Sequence, residues 1–231
     1  MNTFNVLAIT FNLNQHTISS SVHIPSLSIC DVVIIATQEA TGAQHRQFVE
    51  LVTYQADLVP IYHTQMLLVG LSLLCRPSLS NSITCISSKR IPDGLGNFPN
   101  KGGVAVHFCL FQVPFSAYSI HLLHGEDPSR FPSRCRSLYK IATSPSPCCS
   151  HSGTRPDTDR TSLYLGDFNF RVHGAVRSLT NTLMTRNDID VLLHNDQFSK
   201  LSRKPPSCKT ERELLFISLL KEGSIDFPPY L

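Results

Sequence analysis

Short apolar runs punctuated by turn-forming residues dominate the chain. Residues 4–13 are apolar and β-rich and then break into polar positions. Residues 31–36 (DVVIIA) form a continuous apolar run behind an aspartate, the pattern of a buried strand, and pass directly into Gln38 and Glu39. Over residues 44–54, Phe48, Leu51 and Val52 fall near helical spacing and predict a helix. Two more strands are predicted at 66–75 and 82–88, with Pro77 and Asn81 marking the turn between them. Gly94, Gly96, Pro99, Gly102 and Gly103 then crowd a loop around Asn100 and Lys101. Residues 104–111 alternate as a half-buried strand does, 115–123 predict another, and 129–141 read as a basic helix. The Ser-, Pro- and Cys-rich stretch 144–159 predicts a surface loop or insertion. A strand at 161–165 delivers the sequence GDFNFR, and from Gly174 onward the pattern turns helical, interrupted by Pro205 and Pro206, before a Pro-rich end. Strands and helices mix without strict alternation, so the expected architecture is an α/β sandwich with mixed sheets.

Composition narrows this only a little. With 231 residues, 42% hydrophobic and 16% charged, the chain can bury a core and is not of the disordered class. Lys and Arg total 20 against 17 Asp and Glu, a balance too weak to point to nucleic acid. The eight cysteines show no CxxC pair and read as reduced core and loop residues. No secretion signal opens the chain, its longest apolar stretch (66–75) is too short for a bilayer, and no prenylation signal closes it, so a soluble intracellular protein is expected. Neither GxGxxG nor GxxxxGK[ST] is present.

Candidate chemistry sits where apolar runs end. Thr10–Phe11–Asn12 follows the first predicted strand, Gln38–Glu39 the second, and Gly166–Asp167–Phe168–Asn169 a late one. Polar residues at strand ends can converge on one site from distant parts of a sequence. A carboxylate such as Glu39, set among amides and waters, suits the hard, hydrated ion Mg²⁺. Asp167 could orient or deprotonate a water, Asn12 and Asn169 could hold that water or phosphate oxygens, and His121 could donate to a phosphate oxygen. Metal-assisted attack of water on a phosphate ester uses this set. Singly, each has a plainer explanation: Glu39 a helix-start carboxylate, Asp167 and Asn169 turn residues, Asn12 a strand-end cap, His121 a hydrogen-bonded structural histidine. Their joint occurrence in order favours the chemical reading.

That order resembles the inositol polyphosphate 5-phosphatases of the endonuclease/exonuclease/phosphatase (DNase I-like) superfamily. TFNLN at 10–14 is similar to the family's TWNxN, ATQEA at 36–40 to VGxQE, and NKGGVAVHF at 100–108 to NKGxVxxxF. LVGLSLL at 68–74 resembles the strand that follows VGxQE, and IHLLHGED at 120–127 the SHL segment. LGDFNFRV at 165–172 is similar to WLGDxNYR, LLHNDQF at 192–198 to LLxxDQL, and EGSIDFPP at 222–229 to EGxIxFxP. GDFNFR most resembles the type IV phosphoinositide branch. Phe11 stands where the family has Trp, and Pro99 precedes Asn100.

The resemblance implies a DNase I-like four-layer α/β sandwich with two mixed β-sheets, and one partial catalytic domain over 1–231. It implies an Mg²⁺-dependent phosphoinositide 5-phosphatase acting on phosphatidylinositol 4,5-bisphosphate or 3,4,5-trisphosphate. Glu39 and Asn12 would serve the metal, His121, Asp167 and Asn169 the reacting phosphate and water, and Asn100, Lys101 and Arg171 the substrate. The expected partners are a phosphoinositide lipid or soluble inositol polyphosphate and, transiently, a membrane surface reached from the cytoplasm, with no nucleic acid and no protein partner. The family's PxWCDR and SDH motifs do not occur, and the chain has no Trp, so a domain incomplete at its C-terminus is expected. A catalytically inactive phosphoinositide-binding fragment stays open as the alternative.

Overall fold

The computed structural model describes residues 3–19, 21–127, 129–144, 160–172, 189–210, 213, 214 and 217. The predicted insertion beyond residue 144, the stretch 173–188 and the EGSIDFPP segment at 222–229 lie outside these residues. The chain divides into two compact units, Met1–Leu122 with Ser144–Asp167, and Leu123–Thr143 with Phe168–Leu231.

The first unit is built on two four-stranded mixed sheets. One contains β1 (Val6–Asn12), β2 (Val32–Gln38), β3 (Val59–Met66) and β4 (Val69–Cys75) in the order β1-β2-β4-β3. The other contains β5 (Ile83–Pro92), β6 (Gly102–Leu110), β7 (Val113–His121) and β8 (Thr161–Asp167) in sequential order. β1 pairs parallel with β2 and β7 parallel with β8; the remaining pairs are antiparallel. The expected mixed α/β sandwich is the observed one.

Side-chain alternation along each strand sorts the residues into layers. Val32, Ile34 and Ala36 of β2 meet Leu71 and Leu73 of β4 and, from the other sheet, Val104, Val106, Phe108 and Ala117. Val33 and Ile35 point the opposite way and pack with Phe48 and Val52 of α1 (Gly42–Gln55). With both faces covered, β2 is buried at every position, which is why its sequence is a continuous apolar run. Helix α1 starts at a capping box in which Thr41 Oγ1 accepts from Gln44 N–H while Gln44 Oε1 accepts from Thr41 N–H at 2.8 Å.

β3 was not predicted. Its Pro60, His63 and Gln65 break the apolar pattern, and a register shift lies between Pro60 and Tyr62. The run predicted as one strand over 66–75 contains the hairpin instead: Met66 ends β3, Leu67 turns with φ 49°, and Val69 opens β4 opposite Met66. Leucine at a left-handed turn position gives no turn signal, because such turns favour Gly and Asn.

The second unit contains α2 (Arg130–Ala142), α3 (Ile189–Asn195) and α4 (Gln197–Arg203). Asp196 caps α4 by accepting from Ser199 N–H at 2.8 Å. Arg134 is fully buried; its guanidinium donates to the carbonyls of Leu123 and Gly125 and to Gln197 Oε1. Gln197 Oε1 also accepts from the Arg171 N–H at 3.1 Å. Phe170 lies among Phe131, Phe168 and Phe198, with ring centroids 5.7–6.0 Å apart.

Candidate active site

Inward-facing side chains of both sheets carry the sandwich core, and at one end of β1, β2, β7 and β8 those faces turn polar. On β7 the inward series is Phe115, Ala117, Ser119 and His121; on β8 it is Leu163, Leu165 and Asp167. On β1 it ends at Thr10 and Asn12. Register sets His121 directly beside Asp167, and Asn12 directly beside Gln38. Two parallel strand pairs, one from each sheet, therefore present their carboxyl ends side by side.

Glu39 needs a further device. Continued extended chain would send residue 39 to the α1 face with Thr37. Instead Glu39 adopts φ 50°, a left-handed conformation rare outside glycine, which swings its carboxylate over the sandwich end. The turn is pinned by backbone bonds from Leu13 N–H to the Gln38 carbonyl and from Gln15 N–H to the Glu39 carbonyl, both 2.8 Å. Gly166 does the same service for Asp167: with φ 129° it lets β8 lie so near β7 that a Cβ there would sit 2.0 Å from the Ile120 carbonyl oxygen.

The outcome is one cluster. One ligand atom each from Glu39, His121 and Asp167 lies within 4.8 Å of the others. His121 Nε2 is 3.4 Å from Glu39 Oε1 and 3.8 Å from Asp167 Oδ2. Asn12 Nδ2 donates to Asp167 Oδ2 at 3.0 Å and approaches Glu39 Oε1 at 3.4 Å, and Asn12 Oδ1 accepts from Asn14 N–H at 2.9 Å. Asn12 thus tethers the two carboxylates through its amide N–H rather than turning an oxygen toward them. Lys101 reaches in from the β5–β6 loop, its Nζ 2.5 Å from His121 Nε2. If the ammonium donates, Nε2 is the acceptor and Nδ1 carries the proton. His121 is buried, whereas the two carboxylates retain 30% of their side-chain exposure, enough to meet solvent or a ligand.

The donor set fits a divalent cation. Two carboxylates held together repel each other unless a positive charge lies between or beside them, and hard oxygen donors with room for water suit Mg²⁺ or Ca²⁺.

Of the residues predicted from the sequence, Asn12, Glu39, Lys101, His121 and Asp167 come together here. Asn100 turns back into its own loop, its Oδ1 lying 2.2 Å from where a Cβ on Gly94 would stand. Asn169 and Arg171 belong to the second unit, where Arg171 Nη2 donates to Asn169 Oδ1 at 2.8 Å and Asn169 has φ 54°. Sequence reasoning placed Gln38 in the strand-end cluster with Glu39 but gave it no role, and it missed Ser119. Both are buried, and Gln38 Nε2 donates to Ser119 Oγ at 3.0 Å across the gap between the sheets. Their signal was their parity with the inward-facing apolar positions of their own strands.

Sequence and structure comparisons agree with this architecture. The model of the endonuclease/exonuclease/phosphatase family 2 matches residues 3–230, and the chain belongs to that family. Among curated proteins it is similar to the type I inositol polyphosphate 5-phosphatase 1 of Arabidopsis thaliana, with 26% identity over 188 residues, 74% of this chain and 28% of the relative. Among solved structures it is similar to the inositol polyphosphate 5-phosphatase domain of SPsynaptojanin, crystallised with inositol (1,4)-bisphosphate and a calcium ion. That match has a TM-score of 0.68 at 20% identity and covers 86% of this chain and 62% of the other. A Cimex nitrophorin in its ferrous NO complex matches at a TM-score of 0.63 and 17% identity, covering 86% of this chain and 71% of the nitrophorin. The chain therefore spans less than two thirds of the 5-phosphatase chains it matches. One fold serves both a phosphatase domain and a nitrophorin, so function has to be argued from the site.

Proposed function

We propose that this chain carries the active site of an Mg²⁺-dependent phosphoinositide 5-phosphatase. The observation that carries the reading is the convergence of Asn12, Glu39, Lys101, His121 and Asp167 at one end of the sandwich. The Arabidopsis relative's name supports the inositol phosphate as substrate class.

Glu39 and Asp167 would hold the ion, and Asn12 would keep their carboxylates in place. Bound there, Mg²⁺ would polarise a phosphoryl oxygen and offset the negative charge of the transition state. Lys101 forms the cationic side of the cluster and would bind a phosphoryl oxygen; with its ammonium so engaged, His121 Nε2 would be free to carry the proton and donate to another. Asp167 would accept the proton of the attacking water as its oxygen bonds to phosphorus, while the bond from phosphorus to the inositol oxygen breaks and that oxygen takes up a proton from solvent water. Within the second unit, Arg171 would hold the Asn169 amide in a fixed orientation. Asn100, turned back toward Gly94, would shape the β5–β6 loop that presents Lys101 to the substrate.

A lipid substrate is favoured over a soluble one by that same loop. Leu95 is 97% exposed and Phe98 56% exposed, a few residues from Lys101. Exposed apolar side chains beside a phosphate-directed lysine suit a lipid surface. Among the described residues no helix is long and apolar enough to cross a membrane. The reading is of a cytoplasmic protein that meets the membrane transiently.

Phosphate release from phosphatidylinositol 4,5-bisphosphate vesicles tests it. Release should require Mg²⁺, stop with chelator, and fall by about a hundredfold or more in Glu39→Ala and Asp167→Ala. Vesicle binding by the wild-type protein with no phosphate release would instead favour a binding fragment.

A further inference from the structure

We infer that Gln38 is a positioning residue whose buried amide sets the separation between the two halves of the metal cluster and thereby its preference for a small divalent cation. The inference rests on the metal-binding reading above.

The cluster is assembled across a seam. Asn12 and Glu39 come from the first sheet, His121 and Asp167 from the second. Deep in the core the sheets are held apart by apolar side chains, whose contacts are soft and non-directional. At the site end the inward series Val32, Ile34, Ala36 ends on Gln38, which is 1% exposed. Its Nε2 donates to Ser119 Oγ on β7 at 3.0 Å, and its Oε1 accepts from Thr10 Oγ1 on β1 at 3.3 Å. The Ser119 hydroxyl donates in turn to the Thr37 carbonyl at 3.4 Å. Three strands from two sheets are thus tied through one amide.

The leverage of this tie is direct. Gln38 precedes Glu39 by one residue, and Ser119 precedes His121 by two on the same face of β7. A hydrogen bond has a preferred length and direction, so it fixes the seam where apolar packing does not. Neither side chain belongs to the cluster itself, so they act through Glu39 and His121. Mg²⁺ demands oxygens at about 2.0–2.1 Å, whereas Ca²⁺ accepts about 2.3–2.6 Å in looser geometry. A tie that holds the two carboxylates close therefore matters more for the smaller ion.

The test is calorimetric titration of the full chain with Mg²⁺ and, separately, Ca²⁺. It compares wild type, Gln38→Met, which keeps the volume but loses the amide, and Ser119→Ala, which loses the hydroxyl that accepts from Gln38 and donates to the Thr37 carbonyl. Glu39→Ala serves as the ligand-deletion control. The expected result is an Mg²⁺ affinity lower by about tenfold or more in Gln38→Met and Ser119→Ala. Ca²⁺ affinity should change much less, so that the Mg²⁺-to-Ca²⁺ ratio falls. Because Ser119→Ala removes one hydroxyl, it decides the matter if Gln38→Met does not fold. An unchanged ratio in a folded variant, or equal losses for both ions, overturns the inference. Failure of the wild-type chain to bind either ion, with Glu39→Ala indistinguishable from it, overturns the metal-binding reading itself.

Discussion

Histidine 45 shows what a single buried side chain does for this unit. It is fully buried between α1 and the first sheet, with Nδ1 2.6 Å from Thr37 Oγ1 and Nε2 2.8 Å from Ser72 Oγ, and its ring stacks on His63 at 4.9 Å. Gly70 makes the space: a Cβ there would meet His45 Nδ1 at 2.5 Å. Burial, with the charges of His63 and Arg46, lowers the His45 pKa to about 3. Burial, then Arg46 and Arg90, shifts His63 in the same direction. An unfolded histidine takes up its proton near its ordinary pKa of about 6.5, while the folded His45 refuses it. The stabilisation is therefore complete above about pH 6.5 and is lost as pH falls toward about 3, at roughly 1.4 kcal/mol per pH unit. Urea melts at steps from pH 6.5 to 5, above the ordinary carboxylate range, should lose about 2 kcal/mol in the wild type and distinctly less in His45→Gln. Equal slopes would show that His45 is not the group responsible. Individual site residues were legible in the sequence because they stand at the ends of apolar runs: Asn12, Glu39, His121 and Asp167 were all found that way. Gln38 was found the same way but without its role, and Ser119 and His45 were not found, because a buried polar residue among apolar ones declares its part only through partners on other elements.

At the scale of elements, legibility followed burial. β2 is covered on both faces and reads as an unbroken apolar run, whereas β3 is fully buried only at Thr64 and Met66 and was hidden by Pro60, His63 and Gln65. The hairpin at Leu67 was invisible for the reason that leucine is a poor turn residue. What placed β8 was chemistry rather than propensity, since the strand ends in Gly166 and Asp167. Gly166 is a structural requirement there, because its φ of 129° and the 2.0 Å approach of the Ile120 carbonyl leave no room for a methyl group. Gly166→Ala should push β8 off β7 just where Leu122 N–H donates to the Asp167 carbonyl at 2.9 Å. The expected stability cost is about 3 kcal/mol, read by urea unfolding, accompanied by faster amide exchange at Leu122. An alanine variant as stable as wild type, with Leu122 still protected, would mean that the strand pair tolerates the bulk.

At the scale of the whole molecule, the fold is shared with a nitrophorin, so the cluster's purpose has to be read from its own charges. The cluster should then be a liability whenever no cation fills it. Glu39 and Asp167 share one amide donor, Asn12 Nδ2, and sit with partial exposure at one mouth. Lys101 stands beside the pair, its Nζ 2.5 Å from His121 Nε2. Removing one charge while keeping the shape, as in Asp167→Asn, should therefore stabilise the metal-free protein by about 1 kcal/mol, given partial solvent screening. For a chain of this size that is about 2–4 °C in melting temperature. Wild type should recover more than this on adding Mg²⁺, since a ligand at a hundred times its Kd contributes about 2.7 kcal/mol to the folded state. The two proteins should therefore exchange rank: Asp167→Asn melts higher in chelator, and wild type melts higher in saturating Mg²⁺. A variant that melts lower in both conditions would mean that Asp167 is held by its hydrogen bonds and register alone, and that the carboxylate pair stores no repulsion for a cation to relieve.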